Sequence, residues 1–337
     1  MRLLIITQRV DRTDPILGFF HGWLTAFGGR MSGVQVIGQQ VGEYALPPHV
    51  RIHSLGKESG NSKLRQIFQF WKIISRERKN YDAVFVHMTP IWVLLGWPLW
   101  LLTRKRVYLW YEARGGGWVL PLALLCCRKI FGATDYGLPR NSRRRVIVGH
   151  GIDTERFRPK DVAHTEGLCV AVGRVTPVKH YDLLIRTLAK LPQHCTLQIA
   201  GGTFTPRDER EMRQLLDLEH ELGVSARVTM GWVSPDHVVD LLQRADCMFH
   251  ACTGGLDKCV LEAMACGCLV ISTSEAARRV LPLRCCAHPE EFLDRVRSII
   301  GLSPEQRREL ATDLRQRVVN GHSLQHLIDR LVTEMRC

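Results

Sequence analysis

The chain has 337 residues, 45% of them hydrophobic, and carries 46 Lys and Arg against 33 Asp and Glu, a net charge of +13. That apolar content excludes a disordered chain, and the length is more than one core needs, so two domains are expected. The charge is lopsided: residues 1–160 hold 25 Lys and Arg against 10 Asp and Glu, while the remainder is close to neutral, which points to an anionic partner for the first half.

Strand-like apolar runs alternate with helical stretches along the whole chain, the pattern of parallel sheets in an α/β fold. In the first half the strands are expected at 3–7, 34–38, 82–87, 107–111 and 145–148. The opening run at 3–6 is too short for the core of a signal peptide. Residues 63–76 mix cations with an aromatic and aliphatic face at helical spacing, which suits an interfacial helix or one packed on its own sheet. Residues 91–102 are uncharged, hold Pro98 and are followed by Arg104-Lys105-Arg106. This run falls short of the roughly 18–20 residues that span a bilayer, and 115–127 is a second such run. The expectation is a cytoplasmic protein, peripheral on an anionic membrane surface with the basic triplet at the headgroups. The polar stretch 155–166 reads as a linker between a domain at 1–154 and one at 167–320. In the second half strands are expected at 168–172, 195–200, 228–231, 247–250 and 269–272, with helices at 208–222 and 235–244 and a helical tail from Pro304. The twelve cysteines include no Cys-x-x-Cys pair and several lie in apolar runs, which suits a reducing cytosol better than disulfides or a metal site.

The most informative segment is 253–272. Gly254 and Gly255 lead through Leu256 and Asp257 into a helix that starts at Lys258 and carries Glu262, and a Gly267 turn then enters a Val/Ile strand. Glycines permit close backbone approach, and a helix N-terminus offers unpaired N–H groups, so the segment can cradle phosphate while Glu262 accepts from a sugar hydroxyl. The alternative, less favoured, is an ordinary loop, helix and strand of an α/β core. Upstream, Val172-Gly173-Arg174-Val175 ends a strand and Lys179 follows five residues after Arg174. On their own these two are either cleft cations or solvated surface charges. Leu197–Gly202 is a strand ending in Gly201 and Gly202, 228–233 is another ending in Trp232, and Gly149–Asp153 precedes Phe157 and Pro159.

In this order, over roughly residues 140–275, these segments resemble the retaining glycosyltransferases of family 4 (glycosyl transferases group 1). The resemblance implies the GT-B fold, two facing Rossmann-like domains with a deep interdomain cleft, and a final helix at 321–337 that returns to the first domain. It implies that Glu262 holds the nucleotide ribose and that Arg174 and Lys179 act on the diphosphate of a nucleotide sugar. Gly173, Gly201, Gly202, Trp232, Gly255, Leu256, Asp257 and Lys258 would line the donor. Gly254 stands where the family has the first of its two glutamates, and His180 where it usually has glycine. The family's loop after the fourth strand usually carries a catalytic His. Here that loop reads Glu112-Ala113-Arg114-Gly115-Gly116-Gly117: either Arg114 or Glu112 replaces its polar contact, or the loop is structural or the enzyme weakened. Gly18 is the expected donor-loop glycine, while His21 either faces the acceptor or is structural; His87 ends a strand nearby. No Asp-x-Asp sequence of the metal-holding kind is present, so neither metal nor cofactor is expected beyond the nucleotide sugar itself. The function implied is metal-independent hexosyl transfer to a glycan or lipid-linked acceptor in cell-surface polysaccharide or glycolipid synthesis. The alternative is a catalytically weak GT-B protein that binds nucleotide sugar or glycan. A nucleic-acid partner is not expected, because no nucleic-acid-binding module is visible.

Overall fold

The computed structural model describes residues 1–113, 117–138, 142–162 and 164–337. The chain divides into two compact units, residues 1–151 with 324–337, and residues 152–323. Residues 155–166 lie in the second unit, and Thr165 and Glu166 already belong to its first strand.

The first unit runs β1 (Arg2–Val10), α1 (Phe19–Gly28), β2 (Gly33–Val41), β3 (Val50–Ser54), α2 (Lys63–Arg76), β4 (Ala83–His87), α3 (Pro90–Leu102), β5 (Arg106–Trp110), α4 (Val119–Cys126), β6 (Lys129–Gly132) and β7 (Arg145–Ile147). Its seven strands pair in the order β3-β2-β1-β4-β5-β6-β7, each neighbouring pair parallel. Because strand side chains alternate between faces, Leu3 and Ile5 of β1 join one core and Leu4 and Ile6 the other. The first core is closed by Phe20, Trp23, Leu24 and Phe27 of α1 together with Leu327, Ile328 and Leu331 of the last helix. The second is closed by α2, α3 and α4 through Phe70, Ile73, Trp92, Trp100 and Leu120. Those three helices therefore form one layer over one face of the sheet.

The second unit runs β8 (Thr165–Val172), α5 (Tyr181–Leu188), β9 (Thr196–Ala200), α6 (Pro206–Glu221), β10 (Val228–Gly231), α7 (Pro235–Arg244), β11 (Ala245–His250), α8 (Lys258–Cys266), β12 (Leu269–Ser272), α9 (Phe292–Ile300) and α10 (Pro304–Gly321). Its five parallel strands lie in the order β10-β9-β8-β11-β12. The chain then returns to the first unit as α11 (Leu324–Arg336), where the Tyr108 hydroxyl donates to the Met335 carbonyl at 3.0 Å. Counted within each unit, both sheets follow the order 3-2-1-4-5 of doubly wound Rossmann-like folds.

All ten strands expected from the sequence are present, and two were missed. β3 is an edge strand whose Arg51 is exposed, so it lacks a continuous apolar run, and β6 is four residues long directly after the apolar α4. The two apolar stretches of the first half became packed helices, and among the described residues no helix is long and apolar enough to cross a membrane.

One buried charge is left over from this packing. Glu219 of α6 is 4% exposed and its Oε1 has no partner among the described residues, so burial pushes its carboxyl up to about 7. A folded-state pKa above the unfolded one means the folded chain holds the extra proton, so stability falls as pH rises from about 4.3 through 7. Glu219→Gln is predicted to remove that slope and to stabilise the protein by about 1–3 kcal/mol at pH 8 but not at pH 4. Urea unfolding at both pH values checks this, and an unchanged slope would show that Glu219 is solvated.

Candidate functional site

In a doubly wound sheet, ligands bind beyond the carboxyl ends of the strands, where the strand order reverses. In the second unit that point lies between β8 and β11. The chain leaves β8 through Gly173, whose φ of +139° suits glycine alone, and Gly173 N–H donates to Ala200 O at 3.1 Å. A Cβ on Gly201 would meet the Gly173 carbonyl oxygen at 1.8 Å, so the ends of β8 and β9 come together only as glycines. The Tyr181 hydroxyl holds that same carbonyl at 2.8 Å. Residues 177–179 make a 3₁₀ turn closed by Lys179 N–H on Thr176 O at 3.0 Å, and Thr253 N–H donates to Val178 O at 3.1 Å. That last bond ties the loop after β11 to the turn after β8.

Across the tie lies a polar cluster. Lys179 Nζ donates to Asp257 Oδ2 at 2.5 Å, and His250 Nε2 lies 2.9 Å from the same oxygen. An ionised carboxylate only accepts, so Nε2 carries the proton; His250 Nδ1 meets Ser272 Oγ at 2.8 Å. Burial works to raise the Asp257 pKa, but the His250 hydrogen bond and the Lys179 charge outweigh it and hold the carboxyl well below the usual carboxylate range. Burial likewise works against the Lys179 ammonium, and Asp257 more than restores it. His250, Cys252 and Asp257 offer ligand atoms within 4.8 Å of one another. Burial pushes the Cys252 thiol up to about 11, and an ammonium already sits on the carboxylate, so the trio fits a hydrogen-bonded cluster better than a cation site.

The remaining donor-side candidates belong to the same unit. Asp257 begins α8, and within that helix Lys258 lies 3.4 Å from Glu262, with burial pushing the Lys258 ammonium down against the Glu262 charge. The Leu256 side chain is buried, leaving only its backbone for a ligand. A Cβ on Gly254 would find ordinary contact with Cys252 Sγ at 3.4 Å, so the fold does not require glycine there. Arg174, with its side chain 46% exposed, lies 3.7 Å from Asp208, whose carboxylate caps α6 by accepting from Phe204 and Thr205 N–H at 3.1 Å. Gly202 is in contact range of Trp232, which is 62% exposed on the rim of a hollow of about 700 Å³ shared with Lys160, Gln198, Ser234 and His237. Sequence reasoning missed His250, Ser272, Tyr181 and Asp208. For His250 there was a signal: a polar residue ending the otherwise apolar run 247–250 just before the glycine pair.

In the first unit the expected residues are tied into structure. A Cβ on Gly18 would strike Asp14 O at 2.5 Å and Arg12 O at 2.9 Å, so glycine there lets the loop after β1 fold on itself. His21 Nε2 accepts from Ala45 N–H at 3.1 Å; burial and Arg12 lower its pKa and keep the ring neutral at pH 7. Arg114 lies outside the described residues. Glu112 accepts from Ala133 N–H at 2.6 Å and Thr134 Oγ1 at 2.9 Å, so its carboxylate fastens the chain after β6 instead of standing free. His87 is buried among Phe20, Trp23 and Trp110.

His180, where the resemblance has glycine, adopts the left-handed region at φ 48° and ψ 47°. That conformation costs an L-residue about 1–2 kcal/mol, partly offset by the unfolded-state freedom that glycine regains. His180→Gly is therefore predicted to stabilise the protein by about 0.5–1 kcal/mol in urea unfolding; a loss would mean the imidazole makes compensating contacts.

The geometry can be set beside known proteins. The family model described as "Glycosyl transferases group 1" matches residues 166–301, the part of the second unit that holds the cluster. The D-inositol 3-phosphate glycosyltransferase of Rhodococcus jostii is 29% identical over 154 residues, 41% of this chain and 34% of that protein. Its counterpart in Mycolicibacterium smegmatis is 34% identical over 144 residues, 39% of this chain and 33% of that protein. The chain thus spans about a third of the length of the curated relatives it matches. The crystal structure of Anabaena HepE in complex with UDP superposes with a TM-score of 0.80 at 13% identity, covering 100% of both chains. Residues 166–301 are thus similar to group 1 glycosyl transferases, and the chain as a whole shares the GT-B fold of these structures.

Proposed function

We propose that the protein is a retaining, metal-independent glycosyltransferase that moves a hexose from a nucleoside diphosphate sugar to a glycan or lipid-linked acceptor in cell-surface polysaccharide or glycolipid synthesis. The observation that carries this reading is a coincidence of place. The segment matched by the group 1 model contains the strand-order reversal at which Arg174, Lys179, Lys258 and Glu262 sit. UDP and UDP-glucose in the HepE structures agree with a nucleotide-sugar donor. In this reading Arg174 and Lys179 neutralise the diphosphate as it departs, and that leaving group takes the proton of the incoming hydroxyl on the same face of the sugar. Glu262 accepts from the ribose. Arg174→Ala is predicted to weaken nucleoside diphosphate binding at least tenfold and to leave nucleoside binding nearly unaltered. Glu262→Gln should weaken both, by about 1.5–3 kcal/mol. Calorimetric titration with UDP, GDP and their nucleosides checks both variants; transfer of radiolabelled sugar to membrane extract checks the reaction.

On the acceptor side, the proposed location is the cytoplasmic face of an anionic membrane, with the first unit docked through its α2–α4 layer. The outward face of that layer exposes Leu64, Phe68, Trp71, Leu102, Trp118 and Leu125, while residues 63–128 carry 11 Lys and Arg against 3 Asp and Glu. Those three acids are already engaged, Glu77 by Arg76, Asp82 by Arg2 and Glu112 by Ala133 and Thr134. The basic triplet contributes less than its sequence implied. Lys105 Nζ donates inward to Tyr81 O at 2.6 Å and Arg106 is partly buried, so among the three only Arg104 is exposed. The exposed cations of α2 are Lys63, Arg65, Lys72 and Arg76. At about 1 kcal/mol each near an anionic surface, replacing Lys63, Arg65 and Lys72 by Gln is predicted to lower vesicle partitioning roughly a hundredfold at low salt. Phe68→Asp should weaken binding at any salt. Flotation with anionic and neutral vesicles reads both, and equal binding to the two vesicle types would overturn docking by charge.

A further inference from the structure

Every cation of the candidate donor site faces a carboxylate: Arg174 faces Asp208 at 3.7 Å, Lys258 faces Glu262 at 3.4 Å, and Lys179 holds Asp257 at 2.5 Å. The first pair is long, and Arg174 is half-exposed, so a phosphate can recruit it with little rearrangement. Lys179 is different. Its side chain is mostly buried, and its ammonium gives its shortest contact to Asp257. A buried ammonium must have an acceptor, and any phosphate oxygen that binds it must contend with this one.

The loop is built so that Asp257 can yield. Its Oδ2 accepts from His250 as well as from Lys179, and His250 is anchored by the Ser272 hydroxyl at Nδ1, the Ser272 oxygen in turn accepting from Ser274 N–H at 3.0 Å. If Lys179 turns to another anion, Asp257 keeps a hydrogen bond from a side chain fixed between β11 and β12. The carboxylate is not orphaned, so the exchange avoids the main cost of breaking a buried pair. Asp257 is also the N-cap residue of α8 without making a side-chain cap hydrogen bond, so its carboxylate is directed to these two partners and not to the helix.

We propose, resting on the nucleotide-sugar reading above, that Asp257 is an internal rival of the donor's diphosphate for Lys179 and thereby sets donor affinity. A phosphate oxygen takes the ammonium, and Asp257 falls back on His250. The residue is a brake on anion binding: nucleosides, which bring no anion, do not feel it, and diphosphates bind against it.

Calorimetric titration of UDP, GDP, uridine and guanosine into the full chain tests this with wild type, Asp257→Asn, Asp257→Ser and Asp257→Asn/Lys179→Ala. Both single substitutions remove the charge and retain a residue suited to a helix start. The expected result is roughly tenfold tighter diphosphate binding by both, unchanged nucleoside binding, and loss of the gain in the double variant. If Asp257 only positions Lys179, both single variants bind the diphosphate equally or more weakly; that result overturns the rivalry and leaves the donor reading standing. A second measurement uses the wild type alone. In a crystal structure with bound diphosphate, Lys179 Nζ is expected on a phosphate oxygen and more than about 4 Å from Asp257, with the His250 contact kept. A Lys179–Asp257 contact that persists in that complex overturns the proposal. If neither the wild type nor the folded Asp257 variants bind UDP or GDP, the donor reading itself falls, and the rivalry with it.

Discussion

The second unit's site depends on one steric fact, the approach of the Gly201 backbone to the Gly173 carbonyl. A Cβ at position 201 would lie 1.8 Å from that oxygen, and one at 173 would lie 3.1 Å from Lys179 Nζ. Without side chains at these two positions, β8 and β9 can end together, and the turn that follows can lay Lys179 across the strand ends toward the loop after β11. The Tyr181 hydroxyl on Gly173 O and the Thr253 amide on Val178 O then hold the two segments at the strand-order reversal. Parallel sheets make such a junction because every crossover returns to the same edge, so loops after neighbouring strands open side by side.

Much of this was legible because it is local. A strand of four to eight mostly apolar residues that runs into glycine declares its own end, which is why β8, β9 and β10 were read from the sequence. Glycine pairs and the run into α8 were visible for the same reason. The partners were not. His250 meets Ser272 across 22 positions, and Lys179 meets Asp257 across 78. Only strand order brings these together, and strand order is set by crossovers, not by any residue's neighbours in the chain. Lys105 shows the opposite error: a triplet that reads as surface charge has one ammonium turned inward onto the Tyr81 carbonyl and stacked 5.2 Å from its ring.

The first unit was harder to read for a further reason. At its own strand-order reversal, between β1 and β4, Thr7 meets His87 at 3.4 Å, and the His87 ring is packed 4.2 Å from the Phe20 ring and 5.3 Å from Trp110. Aromatic residues at helical and strand spacing read as core, and here most are core: Phe20, Trp23 and Phe27 are fully buried under the sheet. Gly18 and His21 were found by their place after β1, but the structure gives each a closing role within the loop, through Asp14, Arg12 and Ala45. The first unit's chemistry is therefore written less in single side chains than in the shape of a packed aromatic wall.

Charge compensation in the second unit links folding to binding. A site meant for a diphosphate gathers cations, and gathered cations repel one another in a partly buried place, which burdens the folded chain before any ligand arrives. Pairing each of them with a carboxylate removes that burden: Asp208 serves Arg174 while also capping α6, and Glu262 serves Lys258 one helical turn away. The same pairing lowers the net field available to an anion, so stability and any anion binding draw on the same cations. Proteins can ease that conflict by making the counter-charge movable or by giving it other work. Asp208 has other work in its cap, and Asp257 has a second partner in His250. Each of these two carboxylates thus has another partner in the folded chain besides the cation it neutralises.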